Sequence, residues 1–133
     1  MSKEIKFRGK RIDNGEWVYG FYVADVEWAK YYIYFIEHSG VFITMKPTLV
    51  DPKTVGQFTG QKDLDDKEVY DGDICEYEDS DRAFESIYLN RGVVEFSEWG
   101  FGLTNRNEVD MADIEGQDIL VIGNIYENPE LLT

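Results

Sequence analysis

Apolar and polar residues alternate with period two from the start of the chain. In "EIKFRGKRIDNGEWVYGFYV" (residues 4–23), Ile5 and Phe7 alternate with Lys6 and Arg8. After Asp13-Asn14-Gly15 the alternation resumes with Trp17, Tyr19, Phe21 and Val23. Period two is the repeat of a strand showing one face to a core, and Asn-Gly readily takes the positive φ of a tight turn. The pattern predicts a β-hairpin whose period-two aromatics face the interior. "KYYIYFIEH" (30–38) is apolar or aromatic on both sides from Tyr31 to Ile36. Its β-branched and aromatic content predicts a buried strand rather than a helix. "GVFITM" (40–45) then reads as its hairpin partner across His38-Ser39-Gly40.

Residues 46–53 hold Pro47 and Pro52 and read as a connection that closes an N-terminal lobe of about residues 1–50. Beyond it, "TVGQFTG" (54–60), Val69-Tyr70 with "DICEYE" (73–78), "GVVEF" (92–96), "GFGLT" (100–104) and "ILVIGNIYE" (119–127) are further strand candidates. Residues 79–90 are ambiguous. "RAFESIYL" (82–89) suits one or two helical turns or a long loop, because Ala83, Glu85 and Leu89 favour helix while Ile87 and Tyr88 do not. Asn128-Pro129-Glu130 has the chemistry of a helix start, with room for one turn. Many short strands and no long amphipathic run predict a mainly β fold, a small barrel or roll with at most short helical turns.

Composition adds a size limit and a sign. A chain of 133 residues is one domain by default, and 15% aromatic residues supply a core without disulfides or metal. The 27 acidic residues against 13 basic ones leave a net charge of −14, which repels a phosphate backbone. The cations Lys3, Lys6, Arg8, Lys10 and Arg11 cluster near the start, but they alternate with apolar residues as the solvated face of a strand would. The lone Cys75 forms no intramolecular disulfide and reads as a small core residue. Without a signal peptide or an 18-residue apolar run, the expected setting is cytoplasmic, with no membrane partner.

The densest candidate chemistry is "KDLDDKEVYDGDICEYED" (62–79). A calcium loop opening at Asp63 needs a ligand at its fifth position and glycine at its sixth, where Lys67 and Glu68 stand. A loop opening at Asp71 places Cys75 and Glu76 there instead. A divalent-metal enzyme using Asp65, Asp71 and Asp73 has a chemical rationale, since carboxylates bind magnesium and Lys67 could help activate water. In so acidic a chain, however, an acid-x-lysine triplet is expected by chance. "VGQFTGQK" lacks the second glycine and the hydroxyl residue of a phosphate loop. His38, the only histidine, has no partner for a zinc site or a nucleophile and reads as a turn residue. No catalytic, cofactor or metal site is therefore assigned. Trp17 and, above all, Trp28, Trp99 and Phe101 are left as a candidate binding surface. Trp28 falls outside any clean alternation.

"IKFRGK" (5–10), "WVYG" (17–20), "VGQFTGQKD" (55–63), "KEVYDGDI" (67–74), "RGVVEF" (91–96) and "VIGNIYENPELL" (121–132) together resemble the YopX family of phage and prophage proteins. The likeness spans nearly the whole chain, and its C-terminal dodecamer is highly specific. Two positions depart from the family pattern: Asp65-Asp66 stands where Asn-Gly is usual, and Gly9 where alanine is common. The resemblance implies a mainly β domain whose C-terminal part, about residues 54–133, is an SH3-type barrel. It implies no activity, cofactor or catalytic residue. Within it Asp71, Gly72 and Asp73 read as a structural turn, the glycine taking positive φ and aspartate tying down the backbone. The expected function is a non-enzymatic accessory protein binding a phage or host protein, with a homo-oligomer open to it. A nucleic-acid-associated SH3-like module is the alternative, disfavoured by charge, and the metal enzyme the third reading.

Overall fold

The computed structural model describes residues 4–81, 83, 86–97, 100–104, 111–113 and 118–132. Regular structure in them is ten β-strands and a 3-10 turn, so the all-β expectation holds. The chain divides into two units, Met1–Phe58 and Thr59–Thr133.

The first unit contains β1 (Phe7–Arg11), β2 (Trp17–Asp25), β3 (Lys30–Ser39) and most of β4 (Phe42–Lys62). β1 pairs with β2, β2 with β3, β3 with β4 and β4 with β1, all antiparallel, so the pairings run in a ring. The ring needs strands that serve two neighbours in turn. Residues 42–49 of β4 pair with β3, and its residues 50–57 pair with β1.

Local chemistry sets the turns. Gly15 takes φ 73°, and Glu16 N–H donates to Asn14 Oδ1 at 2.9 Å. The Arg11 guanidinium donates to both Asp13 oxygens, at 2.9 and 2.7 Å, and holds that carboxyl below its ordinary range. A lowered carboxylate contributes stability above its ordinary pKa and loses it as pH falls through the lowered value. Both groups are at the surface, so the effect is small. At the other hairpin Ser39 pairs with Phe42, which puts the turn at Gly40-Val41, one position beyond the expected one.

The connection expected at residues 46–53 is strand instead. Pro47 lies opposite Tyr34, and Pro52 falls where the β1–β4 register jumps between Arg8 and Lys10. A bulge frees the backbone from the ladder, so a missing N–H does no harm there. Thr54 bridges it, accepting from Lys10 N–H at 2.9 Å and donating to the Asp51 carbonyl at 2.6 Å. Ile33, Val50 and Phe58 are buried in this unit. A Cβ on Gly9 would lie 3.1 Å from the Val50 Cβ, so the departure from alanine suits the packing here.

The second unit takes the end of β4 and adds β5 (Glu68–Tyr70), β6 (Asp73–Asp81), β7 (Ser86–Ser97), β8 (Gly100–Thr104), β9 (Met111–Asp113) and β10 (Ile119–Asn124). Its main sheet is antiparallel in the order β10-β6-β7-β8-β9. Val69, Cys75, Tyr77, Val94, Leu103 and Ile119 form the buried cluster, with Phe101 and Val121 packed on it. Among the described residues these pairings do not define the SH3-type closure that the resemblance implies.

Where it is described, the ambiguous 79–90 segment is strand on either side of a turn at Ala83, not helix or a long loop. β6 runs to Asp81 and β7 starts at Ser86, with Asp79 opposite Tyr88 and Ser80 opposite Ile87. The β preference of Ile87 and Tyr88, together with a ready partner strand, outweighs the helix propensity of Ala83 and Leu89. The C-terminal helix start makes its single turn, a 3-10 element at Pro129–Leu132.

Candidate functional site

The acidic stretch resolves into two backbone anchors. Asp63 is buried at the first position of the turn between β4 and β5. Its Oδ1 accepts the N–H groups of Asp65 at 2.9 Å and Lys67 at 2.8 Å, and its Oδ2 accepts that of Val121, on β10, at 2.9 Å. One carboxylate therefore closes the turn and ties it to the strand 58 positions later. Asp73 is also buried and accepts the Tyr70 N–H on Oδ2 at 2.8 Å. Between them Gly72 has φ 92°, donates to the Val94 carbonyl and accepts from the Ile125 N–H. Asp71 lies half-buried in that turn, while Asp65 and Asp66 are exposed. Among the described residues no three His, Cys, Asp or Glu side chains are grouped to hold a metal ion.

Asp66 sits where the family pattern has glycine, and it takes φ 64°. An L-residue is disfavoured in that region, though aspartate tolerates it better than most. Asp66→Gly is expected to raise stability by about 0.5–1 kcal/mol in chemical denaturation. The exposed Lys62–Asp66 contact at 3.6 Å that it removes contributes little. A destabilised variant would show that the turn prefers aspartate.

The C-terminal signature is likewise a structural clasp. Asn124 N–H donates to Asn128 Oδ1 and Asn128 N–H to the Asn124 carbonyl. Asn124 Oδ1 accepts from both Tyr126 and Glu127 N–H at 3.0 Å. A Cβ on Gly123 would meet Asn128 Oδ1 at 2.7 Å, which explains a glycine beside the clasp.

The aromatic candidates separate clearly. Trp28 is 73% exposed in the β2–β3 turn. Phe101 leans on the second unit's core and on the Phe96 ring, 5.0 Å away between centroids, so it is half-buried. Trp99 lies outside the described residues. The Trp17 ring is covered by the Arg8 guanidinium at 4.6 Å and the Lys10 ammonium at 5.7 Å. Other cations of the N-terminal run are also engaged: Lys6 with Glu4 and the Phe58 ring, Arg11 with Asp13.

A larger apolar surface was not expected from the sequence. Paired residues of antiparallel strands point to the same side, and successive residues alternate. Phe21 faces Tyr34 and Val23 faces Tyr32; Tyr32 in turn faces Leu49, Tyr34 faces Pro47 and Ile36 faces Met45. One side of β2, β3 and β4 therefore carries a continuous apolar and aromatic face, with Tyr19 continuing it along β2. Tyr19, Phe21, Val23, Ile36, Met45 and Leu49 are all exposed on it, and Tyr32 and Tyr34 are half-buried. The interior expectation for the period-two aromatics is thus reversed for Tyr19 and Phe21. Both sides of β2 can enter a core, and it is Tyr22, opposite the fully buried Ile33 and against the Phe7 ring, that turns inward. No helix among the described residues is long and apolar enough to cross a membrane.

These features define an all-β protein of two antiparallel units, in which the buried Asp63 and Asp73 serve the backbone and one strand face of the first unit is exposed and apolar. The chain belongs to the YopX family: residues 6–133 match the family described as YopX protein. It is similar in fold to a solved structure, protein EF1440 from Enterococcus faecalis, with a TM-score of 0.62 and 23% identity. That likeness covers 99% of this chain and 100% of the other. No curated protein matches it.

Proposed function

We propose that this protein is a non-catalytic phage or prophage accessory protein that works by binding another protein through the apolar face of β2 and β3. The observation that carries the reading is the exposed row Tyr19, Phe21 and Val23, with Trp28 at the end of the same hairpin. Contiguous exposed apolar surface with aromatic anchors is the chemistry of protein contacts, and Tyr and Trp dominate the binding energy of such contacts. The phage context rests on the family resemblance. A cytoplasmic setting agrees with the lone buried cysteine. The nucleic-acid alternative is less well supported, because Lys6, Arg8, Lys10 and Arg11 are engaged within the first unit and the chain carries −14.

A photo-crosslinking amino acid at position 21, in cells where the protein is produced, tests the reading. The expected result is an adduct with a second, different protein, at least tenfold weaker when Val23→Asp and Trp28→Ala are added. No adduct, or one unaffected by those substitutions, would overturn it.

A further inference from the structure

We propose that the outer edge of β7, from Ser86 to Arg91, takes an added strand: an extended basic segment of another protein. The site lies in the second unit and uses none of the apolar face of β2 and β3.

β7 has two neighbours, but not along its whole length. It pairs with β6 from Ser86 to Val93 and with β8 only from Val93 to Ser97. Among the described residues, no second strand lies beside residues 86–92.

Two hydrogen bonds show which backbone groups that edge presents. In an antiparallel ladder, successive residues turn their N–H and C=O toward opposite neighbours. The Val94 carbonyl accepts from the N–H of Gly72, in the turn that leads into β6, so the even-numbered residues of β7 address the β6 side. Arg91 N–H is turned the other way, and it donates to Asn90 Oδ1 at 3.0 Å. Ile87 and Leu89 share its parity and direct their N–H and C=O groups to the outer edge. The side chains there are as unguarded as the backbone. Ile87 is 73% exposed and Leu89 64%, and residues 86–90 contain no proline and no charged residue. Native sheets blunt their edges with lysine, proline or a bulge, and an edge without them is a template for strand addition.

Edge and charge together select the occupant. A row of outward main-chain groups takes an extended segment, not a helix. Residues 59–133 hold 20 acidic side chains against 5 basic ones, and residues 1–58 hold 7 against 8. The second unit therefore carries −15 and the first +1. A second copy would set −15 against −15 across the shared edge. A segment that alternates apolar and basic residues instead offers apolar contact to Ile87 and Leu89 and the opposite charge to the unit around them.

The test is a fluorescence titration of the full chain with an eight-residue peptide of alternating valine and lysine. Saturable binding is expected, roughly 30-fold tighter than for the valine–glutamate counterpart. Methylating every backbone nitrogen of the peptide keeps its charge but removes its donors, and should weaken binding at least tenfold. Leu89→Pro removes an outward N–H and leaves the ladder to β6 intact. It should weaken binding at least tenfold with an unchanged far-ultraviolet circular dichroism spectrum. Should that variant misfold, hydrogen exchange of the wild type gives a second readout: the Leu89 amide is expected to slow at least tenfold on saturation with the peptide. No binding, equal binding of the methylated peptide, a folded proline variant that binds as before, or unchanged Leu89 exchange would overturn the added strand. Protection of Leu89 in the protein alone, rising with its concentration, would make a second copy the occupant and overturn the basic segment.

Discussion

Asp63→Ala is expected to destabilise the second unit by about 3–5 kcal/mol, the larger of two backbone effects in the acidic stretch. The carboxylate accepts three N–H groups, from Asp65, Lys67 and Val121, at 2.8–2.9 Å. Hydrogen bonds to a charged acceptor contribute roughly 1.5–3 kcal/mol each, and a methyl replaces none of them. The loss is below a simple sum because the turn reaches water and its donors find partners there. Asp63→Asn sharpens the test. Its single oxygen can keep the two turn donors on Oδ1, but its amide then presents a donor to the Val121 N–H. About half the alanine effect is expected, read as a lower midpoint in chemical denaturation. In thermal melts the alanine variant should lose roughly 10 °C or more. An alanine effect under about 1 kcal/mol would mean that β10 holds the turn without the side chain.

Gly72→Ala is expected to cost about 2–4 kcal/mol, for two reasons that can be separated. At φ 92° an L-residue is strained whatever surrounds it, and the new Cβ would stand 2.9 Å from Tyr126 Cε2 and 3.1 Å from its hydroxyl. The ring belongs to the residue after Ile125, whose N–H donates to Gly72, so a backbone shift that relieves the contact loosens that hydrogen bond. Adding Tyr126→Ala should relieve the contact and leave the strain. The double variant is therefore expected to be less unstable than the sum of the two single changes, by about 1 kcal/mol. Strict additivity would show that backbone strain is the whole effect.

Much of this was legible from local signals. The Asn14-Gly15 turn, the strand at 100–104, the buried Cys75 and the single turn after Asn128 each follow from residues close in sequence, whereas the strand expected over 119–127 stops at Asn124. At Asp71-Gly72-Asp73 the signals are local in the same way: Gly72 takes φ 92° and Asp73 accepts the N–H of Tyr70, three positions away. Asp63 was harder. It stands in a run of acids that hides it, although an aspartate opening a short loop is also the signature of an Asx-turn. That clue covers the bonds to Asp65 and Lys67. The bond to Val121 has no local signal, because nothing near residue 63 encodes a strand that arrives 58 positions later.

That the chain is built of strands, where most of its turns fall and which family it belongs to all follow from residues close in sequence. Those properties rest on side-chain period, turn chemistry and a C-terminal motif whose asparagines bond to their own neighbours. Which side of each strand lies inside depends instead on how the strands pair in space. β3 is apolar on both sides, so alternation cannot choose for it, and in β2 the side that alternation favours, Trp17 to Val23, is not the one on which Tyr22 turns inward. The ring of pairings through β1 and β4 makes the choice. It closes over Ile33 and Val50 and turns Tyr19, Phe21 and Val23 outward as the candidate contact surface.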